Sequence, residues 1–124
     1  MSADLLARAA AKLREHAEAV EPGPWDAADD GLVWPNCIGD PVSGSVLIED
    51  ARYIALMHPP VALALAVWLE QQARHVADAV AAWSRDPGYI NAHLGGVDAH
   101  TANMFALPFE VARAILREPA GGAT

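Results

Sequence analysis

The central part of the chain contains a long apolar stretch that a pair of prolines divides. Residues 53–69 carry no fully charged side chain. A membrane-spanning helix needs about 20 apolar residues in one unbroken helix. Pro60 cannot donate a hydrogen bond to a preceding turn, and the residue before a proline is disfavoured in the helical conformation. The pattern therefore predicts two helices that meet at a corner, His58-Pro59-Pro60, and it favours a buried core over a membrane span.

Apolar residues recur at helical spacing in four parts of the chain. They predict helices over residues 3–20, 50–57, 60–84 and 106–118. Asp50 is the expected N-cap of the second helix, because its carboxylate can accept hydrogen bonds from N–H groups of the first turn. The residues expected in the core are Leu6, Leu13, Ile54, Val61, Leu65, Leu69, Val76, Val80, Val111 and Ile115.

The first half of the long helix, "VALALAVWL", is apolar on every side. A helix of this kind is enclosed all round, either by the rest of its own fold or by a partner chain. The second half has a polar side, on which Glu70, Arg74 and Asp78 follow one another at intervals of four residues. The pattern therefore predicts full coverage of the N-terminal half only.

Residues 25–48 contain the only β-prone sequence. The runs "GLVWP" and "SVLIE" favour short strands, and "NCIGDPVSGS" between them is rich in turn-forming residues. They predict an antiparallel hairpin with a long loop. Because two strands alone are marginally stable in water, the hairpin is expected to lie on the helices or to pair with another chain. The predicted fold class is α+β: a mostly helical single domain of about four helices with a small antiparallel β-hairpin.

Residues 85–105 have no clean hydrophobic period. A structureless segment of this length is unusual inside a small domain. Two interpretations stay open: an irregular functional loop, or a short helix near "YINAHL".

Composition and charge exclude several classes of function. A chain of 124 residues, 53% hydrophobic, is expected to form one domain and not a disordered tail. Its net charge is −8 and its basic residues are spread singly, so direct nucleic-acid binding is disfavoured. The one cysteine, Cys37, allows no intrachain disulfide. With no secretory signal expected in "MSADLLARAAAKLREH", the predicted location is the cytoplasm.

Three sequence features occur together: "EPGPW" after the first helix, "EDARYIALMHPPVALALAVWLE" at the centre, and "VARAILRE" near the end. Together they resemble a group of short uncharacterised proteins of actinobacteria and their phages. The skeleton "PGPW", "DA-x-[YF]-IA" and "P-x-x-[VL]-x-[AL]-L" is also similar to the Ead-like proteins of phages and prophages. This resemblance implies a small accessory protein encoded by a phage or an integrated element. It brings no catalytic or binding residues with it.

The histidines are the first candidates for chemistry. His93, Asp98 and His100 lie in the segment without a clean period and are the candidate metal ligands, with His75 as a further member. No pair of histidines has the i, i+4 spacing of metal ligands on a helix, so ordinary polar loop residues are the favoured interpretation. No cofactor is expected. His58 is expected to stabilise the corner by hydrogen bonding and not to transfer protons.

The tryptophans near the hairpin are the first candidates for binding. Trp68 and Trp83 fit the apolar side of the long helix, whereas Trp25 and Trp34 flank the hairpin. Indoles in a small sheet can anchor an interface or stack on a planar ligand. The favoured alternative is that they cover the helices. The acids near the hairpin, Asp26 among them, are interpreted as a solvated turn.

Two hypotheses for function follow from these observations. The first is a non-enzymatic, phage- or prophage-type accessory protein that binds a host or phage protein, or a second copy of itself. The candidate binding residues are Trp25, Trp34 and His58. The second is a small-ligand or metal-binding protein, hydrolytic in one version, with a site between the hairpin loop and residues 88–103. A membrane is not an expected partner.

Overall fold

The structure, a computed structural model, describes residues 2–20, 23, 25–29, 31–35, 41 and 48–118. These residues form six helices and one two-stranded antiparallel sheet. The predicted class, mostly helical α+β with a small hairpin, is therefore confirmed. In chain order the elements are α1 (Ala3–Glu18), β1 (Trp25–Ala27), β2 (Val33–Pro35), α2 (Ile48–Leu56), α3 (Pro59–Arg85), α4 (Gly88–His93), α5 (Val97–Met104) and α6 (Ala106–Leu116).

The chain divides into two compact units. Unit 1 contains residues 1–12 and 66–124, and unit 2 contains residues 13–65. Helices α1 and α3 each contribute residues to both units. The prediction of a single domain concerns whether the two units unfold together, and it stays a prediction.

The hairpin of unit 2 contains a strand that was not predicted, β1. The run "GLVWP" does contain a strand, β2, but β2 pairs with β1. The turn is closed by the N–H of Ala28, which donates to the carbonyl of Leu32 at 2.8 Å, and by the N–H of Gly31, which donates to Ala28 at 3.0 Å. Gly31 has φ 83°, a conformation that favours glycine. A tight turn between neighbouring runs closes at a smaller loop entropy than the long predicted loop.

The end of the run "SVLIE" is helical, which corrects the predicted strand. Helix α2 begins at Ile48, so Asp50 is its third residue and not its N-cap. Residues 42–47 of the predicted strand and loop lie outside the described residues. Asp50 lies in the first turn of α2, where an acidic residue interacts favourably with the helix dipole.

The predicted corner between α2 and α3 is confirmed. Helix α2 ends at Leu56 and α3 begins at Pro59, one residue earlier than expected. Proline suits the first positions of a helix, where its missing N–H removes no helical hydrogen bond. No single helix among the described residues is long and apolar enough to cross a membrane; α2 and α3 together meet that test only as a pair bent by 54°.

Unit 1 has a core of large apolar side chains from several helices. Helix α5 packs on α4 and on α6. The largest fully buried side chains of this unit are Leu6, Leu69, Val76, Thr101 and Phe109. The hydroxyl of Thr101 donates to the carbonyl of Val97 at 2.7 Å, which satisfies the one buried polar side chain of the described residues.

Part of the predicted core is wrong. Leu6, Leu69 and Val76 are buried as expected, but Val61 is 36% exposed. The other predicted core residues are half-buried: Leu13, Ile54, Leu65, Val80, Val111 and Ile115. Within "VALALAVWL", Val67 is also exposed, at 43%. The chain's own fold therefore does not enclose this half-helix, because a helix that packs on one side leaves its other side in solvent.

The segment predicted to be irregular contains two short helices. Helix α4 lies at "GYINAH", where a short helix was the open alternative, and α5 follows it. Gly95 and Gly96 lie between them with φ 79° and 102°, backbone conformations that favour glycine. Helices of one or two turns are too short to show a hydrophobic period. The remaining differences are small: α1 ends at Glu18 instead of residue 20, and α6 ends at Leu116 instead of residue 118.

Charged residues of α1 meet the C-terminal end of α6. Arg8 donates to Asp4 at 3.1 Å and to Glu118 at 3.0 Å. The hydrogen bond to Glu118 is the main cause that raises the pKa of the Arg8 guanidinium above its ordinary value. All three groups are at least partly solvent-exposed, so these pairs stabilise unit 1 only weakly.

Candidate functional site

The hairpin of unit 2 has an inner and an outer side. Val33 and Pro35 are buried, whereas Trp34 between them is 37% exposed. Asp26 is exposed and lies directly opposite Trp34 in the antiparallel register. Residues opposite each other in such a pair project to the same side of the sheet. The outer side therefore presents Asp26 and Trp34 together, and the inner side packs on α2.

Gly23 and Trp25 lie against the corner between α2 and α3. The N–H of Trp25 donates to Nδ1 of His58 at 3.3 Å. A Cβ atom at Gly23 would lie 2.5 Å from Cδ of Pro60 and 2.9 Å from Nδ1 of His58. The backbone at residue 23 thus approaches the corner more closely than any side chain would allow. His58 stabilises the corner by a hydrogen bond, which is the role expected from the sequence.

An open groove follows from this arrangement. It has a volume of about 540 Å³. We call it the hairpin groove, and its lining residues are Trp25, Asp26, Ala27, Arg52, Ala55, Leu56, His58 and Val61. Of the three binding candidates, the structure places Trp25 and His58 in this lining. Trp34 is not in the lining, but it lies beside Asp26 on the outer side of the hairpin.

Large apolar side chains lie exposed next to the hairpin groove. Tyr53 is 65% exposed, Leu56 66% and Met57 38%. Tyr53 and Leu56 are three residues apart on α2, and Met57 follows one residue after the helix ends, so the three share one side of the segment. We call these three residues the α2 face. Large exposed apolar patches can serve as binding surfaces, which makes the α2 face a candidate.

The hairpin groove carries one charge of each sign. Arg52 extends from α2 and Asp26 from β1, and both are exposed. Neither forms an ion pair with any residue that the structure describes. The groove is therefore a mostly apolar surface with one cation and one anion in its lining, neither of them paired to a described residue.

The candidate metal ligands do not come together. Within the described part of the chain, no three His, Cys, Asp or Glu residues are grouped as a metal site would need. The His93 ring lies 4.6 Å from the Tyr89 ring, and the His100 ring lies 4.5 Å from the Trp83 ring. Both histidines therefore pack against aromatic residues of their own unit. His75 is exposed on α3, and Cys37 lies outside the described residues.

Asp98 lines a second, separate pocket in unit 1. This pocket has a volume of about 360 Å³. Its lining residues are Ser84, Pro87, Asn91, Gly95, Gly96, Val97 and Asp98. Five of these seven belong to residues 88–103, the segment of the second hypothesis. The hairpin groove belongs to unit 2, and each of the two sites is complete within its own unit.

Sequence reasoning overlooked Arg52, Tyr53 and Leu56. The signal was present, because Ile54 was predicted to lie in the core and the positions on the other side of α2 must then face outward. The sequence did not reveal the position of β1, which forms the groove together with the outward side of α2.

Comparisons with family models, with curated proteins and with solved structures gave no match to this chain.

Proposed function

We propose that this protein is a non-enzymatic binding protein that recognises another protein surface through the hairpin groove and the α2 face. The observation that carries the proposal is the exposure of Tyr53 and Leu56 beside the groove, at 65% and 66%. A leucine side chain stabilises a complex by about 1.5–3 kcal/mol when it passes from water to an apolar contact. Two such side chains beside an apolar groove supply the centre of a small protein interface.

The biological context that we propose, a phage or prophage role in the cytoplasm, is the one predicted from the sequence. The resemblance to phage and prophage accessory proteins supports a role beside a host or phage protein. The single cysteine in 124 residues supports a reducing compartment, the cytoplasm. Neither a cofactor nor a catalytic group is part of the proposal.

A peptide-library selection with two matched variants tests the proposal. Leu56→Asp places a charge in the α2 face, and Leu107→Asp places one on α6 of unit 1, where Leu107 is 62% exposed. We expect selected peptides to bind the wild type and Leu107→Asp equally, and Leu56→Asp about tenfold more weakly. Selected peptides that do not distinguish Leu56→Asp from the wild type would contradict the proposal.

The pocket in unit 1 supports a second candidate function, binding of a small polar ligand. Its lining offers the Asn91 amide and the Asp98 carboxylate beside the backbone of Gly95 and Gly96. A thermal-shift screen with polar metabolite-sized compounds tests it. We expect a stabilising compound to lose its effect in Asp98→Ala and to keep it in the double variant His75→Ala, Glu110→Ala, which lies outside the pocket.

A further inference from the structure

The two opposite charges in the lining of the hairpin groove limit what can occupy it. Arg52 and Asp26 line the same groove, and neither has an ion-pair partner within the described residues. A purely acidic partner surface would repel Asp26, and a purely basic partner surface would repel Arg52. The best occupant presents apolar side chains together with one acid and one base at a matching spacing.

The hairpin groove itself presents this combination: apolar side chains, one acid (Asp26) and one base (Arg52). In an interface with two-fold symmetry, residue i of one copy contacts residue j of the other, and j contacts i. We propose that the hairpin groove binds the same groove of a second copy of the chain, with Arg52 of each copy opposite Asp26 of the other. This inference rests on the proposed function, because it names the occupant of the same site.

Charge and apolar contact have separate roles in this arrangement. Each copy carries a net charge of −8, so two copies repel one another at long range. The apolar contacts of Leu56, Tyr53 and Val61 supply the free energy of association. Two symmetry-related pairs between Arg52 and Asp26 then set the register and exclude other arrangements of the same apolar surface. Trp34 lies beside Asp26 on the outer side of the hairpin, and its indole adds an aromatic side chain, a type enriched in protein interfaces.

The test uses two charge-reversal variants and their mixture. In Arg52→Glu both groove charges are negative, and in Asp26→Lys both are positive. Each variant alone should dimerise about tenfold more weakly than the wild type, since each homodimer replaces two attractive pairs by two repulsive ones. In an equimolar mixture every introduced glutamate faces an introduced lysine, and every native Asp26 faces a native Arg52. The mixture should therefore recover the dimer as a heterodimer.

Light scattering over a concentration series gives the molar mass, and native mass spectrometry separates the heterodimer from the homodimers. The wild type should reach twice the 13.1 kDa of one chain. Recovery on mixing identifies pairs between copies, because a pair within one copy is not restored by mixing. Far-UV circular dichroism checks that both variants are folded. If a reversal unfolds the chain, Arg52→Gln and Asp26→Asn replace it, with a smaller loss for each and partial recovery on mixing, because the heterodimer restores one of the two pairs.

The outcomes separate this inference from the proposed function. A wild type that stays monomeric up to millimolar concentration overturns the second copy as occupant, and selected peptides that depend on Leu56 would then still support protein binding. A dimer that neither reversal weakens, or that mixing fails to recover, places the contact between copies elsewhere and also overturns the inference. A dimer lost in Leu56→Asp, weakened in both reversals and recovered in their mixture supports it.

Discussion

The main-chain N–H of Trp25 donates a hydrogen bond to Nδ1 of His58 at 3.3 Å, across 33 residues of sequence. This contact attaches the first strand of the hairpin to the corner between α2 and α3. Both residues line the hairpin groove, so the hydrogen bond also sets the distance between two of its walls. The same hydrogen bond therefore contributes to the stability of unit 2 and to the shape of the candidate site.

Removal of the acceptor at this contact should destabilise the hairpin. We expect His58→Leu to lower the free energy of unfolding by about 1 kcal/mol, because the N–H of Trp25 loses its partner in a half-buried place. His58→Asn is the matched control, since its side-chain oxygen can accept near the position of Nδ1. Urea unfolding measures both. Equal losses in the two variants would mean that the hydrogen bond contributes nothing to stability.

The close approach of Gly23 to the corner gives a second prediction. A methyl group at residue 23 would overlap the Pro60 ring, since its Cβ would lie 2.5 Å from Cδ. Gly23→Ala should therefore destabilise the protein by about 1–3 kcal/mol. Gly88→Ala is the control, because the nearest atom to its Cβ lies 3.9 Å away and position 88 begins a helix. Thermal unfolding should show a lower Tm for the first variant only.

Two positions of α3 test how much of the half-helix "VALALAVWL" is buried by the rest of the chain. Leu69 is fully buried and Val67 is 43% exposed. Leu69→Ala should lower the free energy of unfolding by about 2–5 kcal/mol, through lost burial and the cavity that remains. Val67→Ala should change it by less than about 0.5 kcal/mol. A large loss for Val67→Ala that grows with protein concentration would show that a partner chain covers this side of the helix.

The C-terminal end of α6 contains a strained residue. Arg117 has φ 57° and ψ 38°, a left-handed conformation, and the N–H groups of Arg117 and Glu118 donate to Ala114 and Arg113. Glycine favours this position of a helix end. Arg117→Gly should stabilise unit 1 by about 0.5–1 kcal/mol. The substitution relieves the strain of the left-handed backbone but removes a positive charge that interacts favourably with the helix dipole, and the net effect is the difference between the two.

Ala114→Gly, within α6, is the control for this last prediction. It should destabilise the protein by about 1 kcal/mol, because glycine disfavours a helix interior. Chemical denaturation of the two variants should therefore give changes of opposite sign. Destabilisation by Arg117→Gly would mean that its side chain contributes more than its backbone conformation costs.

The sequence alone predicted features that depend on neighbours along the chain. Hydrophobic spacing located α1, α2, α3 and α6 to within two residues at each end. Proline chemistry predicted the corner at His58-Pro59-Pro60, and the histidine there was correctly expected to donate or accept a hydrogen bond at the corner. In each case the cause is local: a ring that removes an N–H, or a period that matches one helix turn.

Features that depend on distant residues were predicted less well. The strand β1, which pairs with "GLVWP" and packs on α2, was not predicted, because several short runs have similar β-propensity and sequence does not show which of them pack together. Helices α4 and α5 were ambiguous, because one or two turns are too short for a hydrophobic period and the two helices are divided by Gly95 and Gly96 at positive φ. His93, Asp98 and His100 were neighbours in sequence, but the helices direct them to different surroundings.

The amino-acid sequence by itself determined the helical class, the corner and the amphipathic character of α2. The tertiary structure alone decided that Asp26 of β1 and Arg52 of α2 line one groove beside an exposed Leu56. Helices and corners follow from sterics and hydrogen bonding within a few residues, which every chain segment carries with it. A groove follows from which surfaces are left over after packing, and that depends on contacts between segments that the order of residues does not reveal.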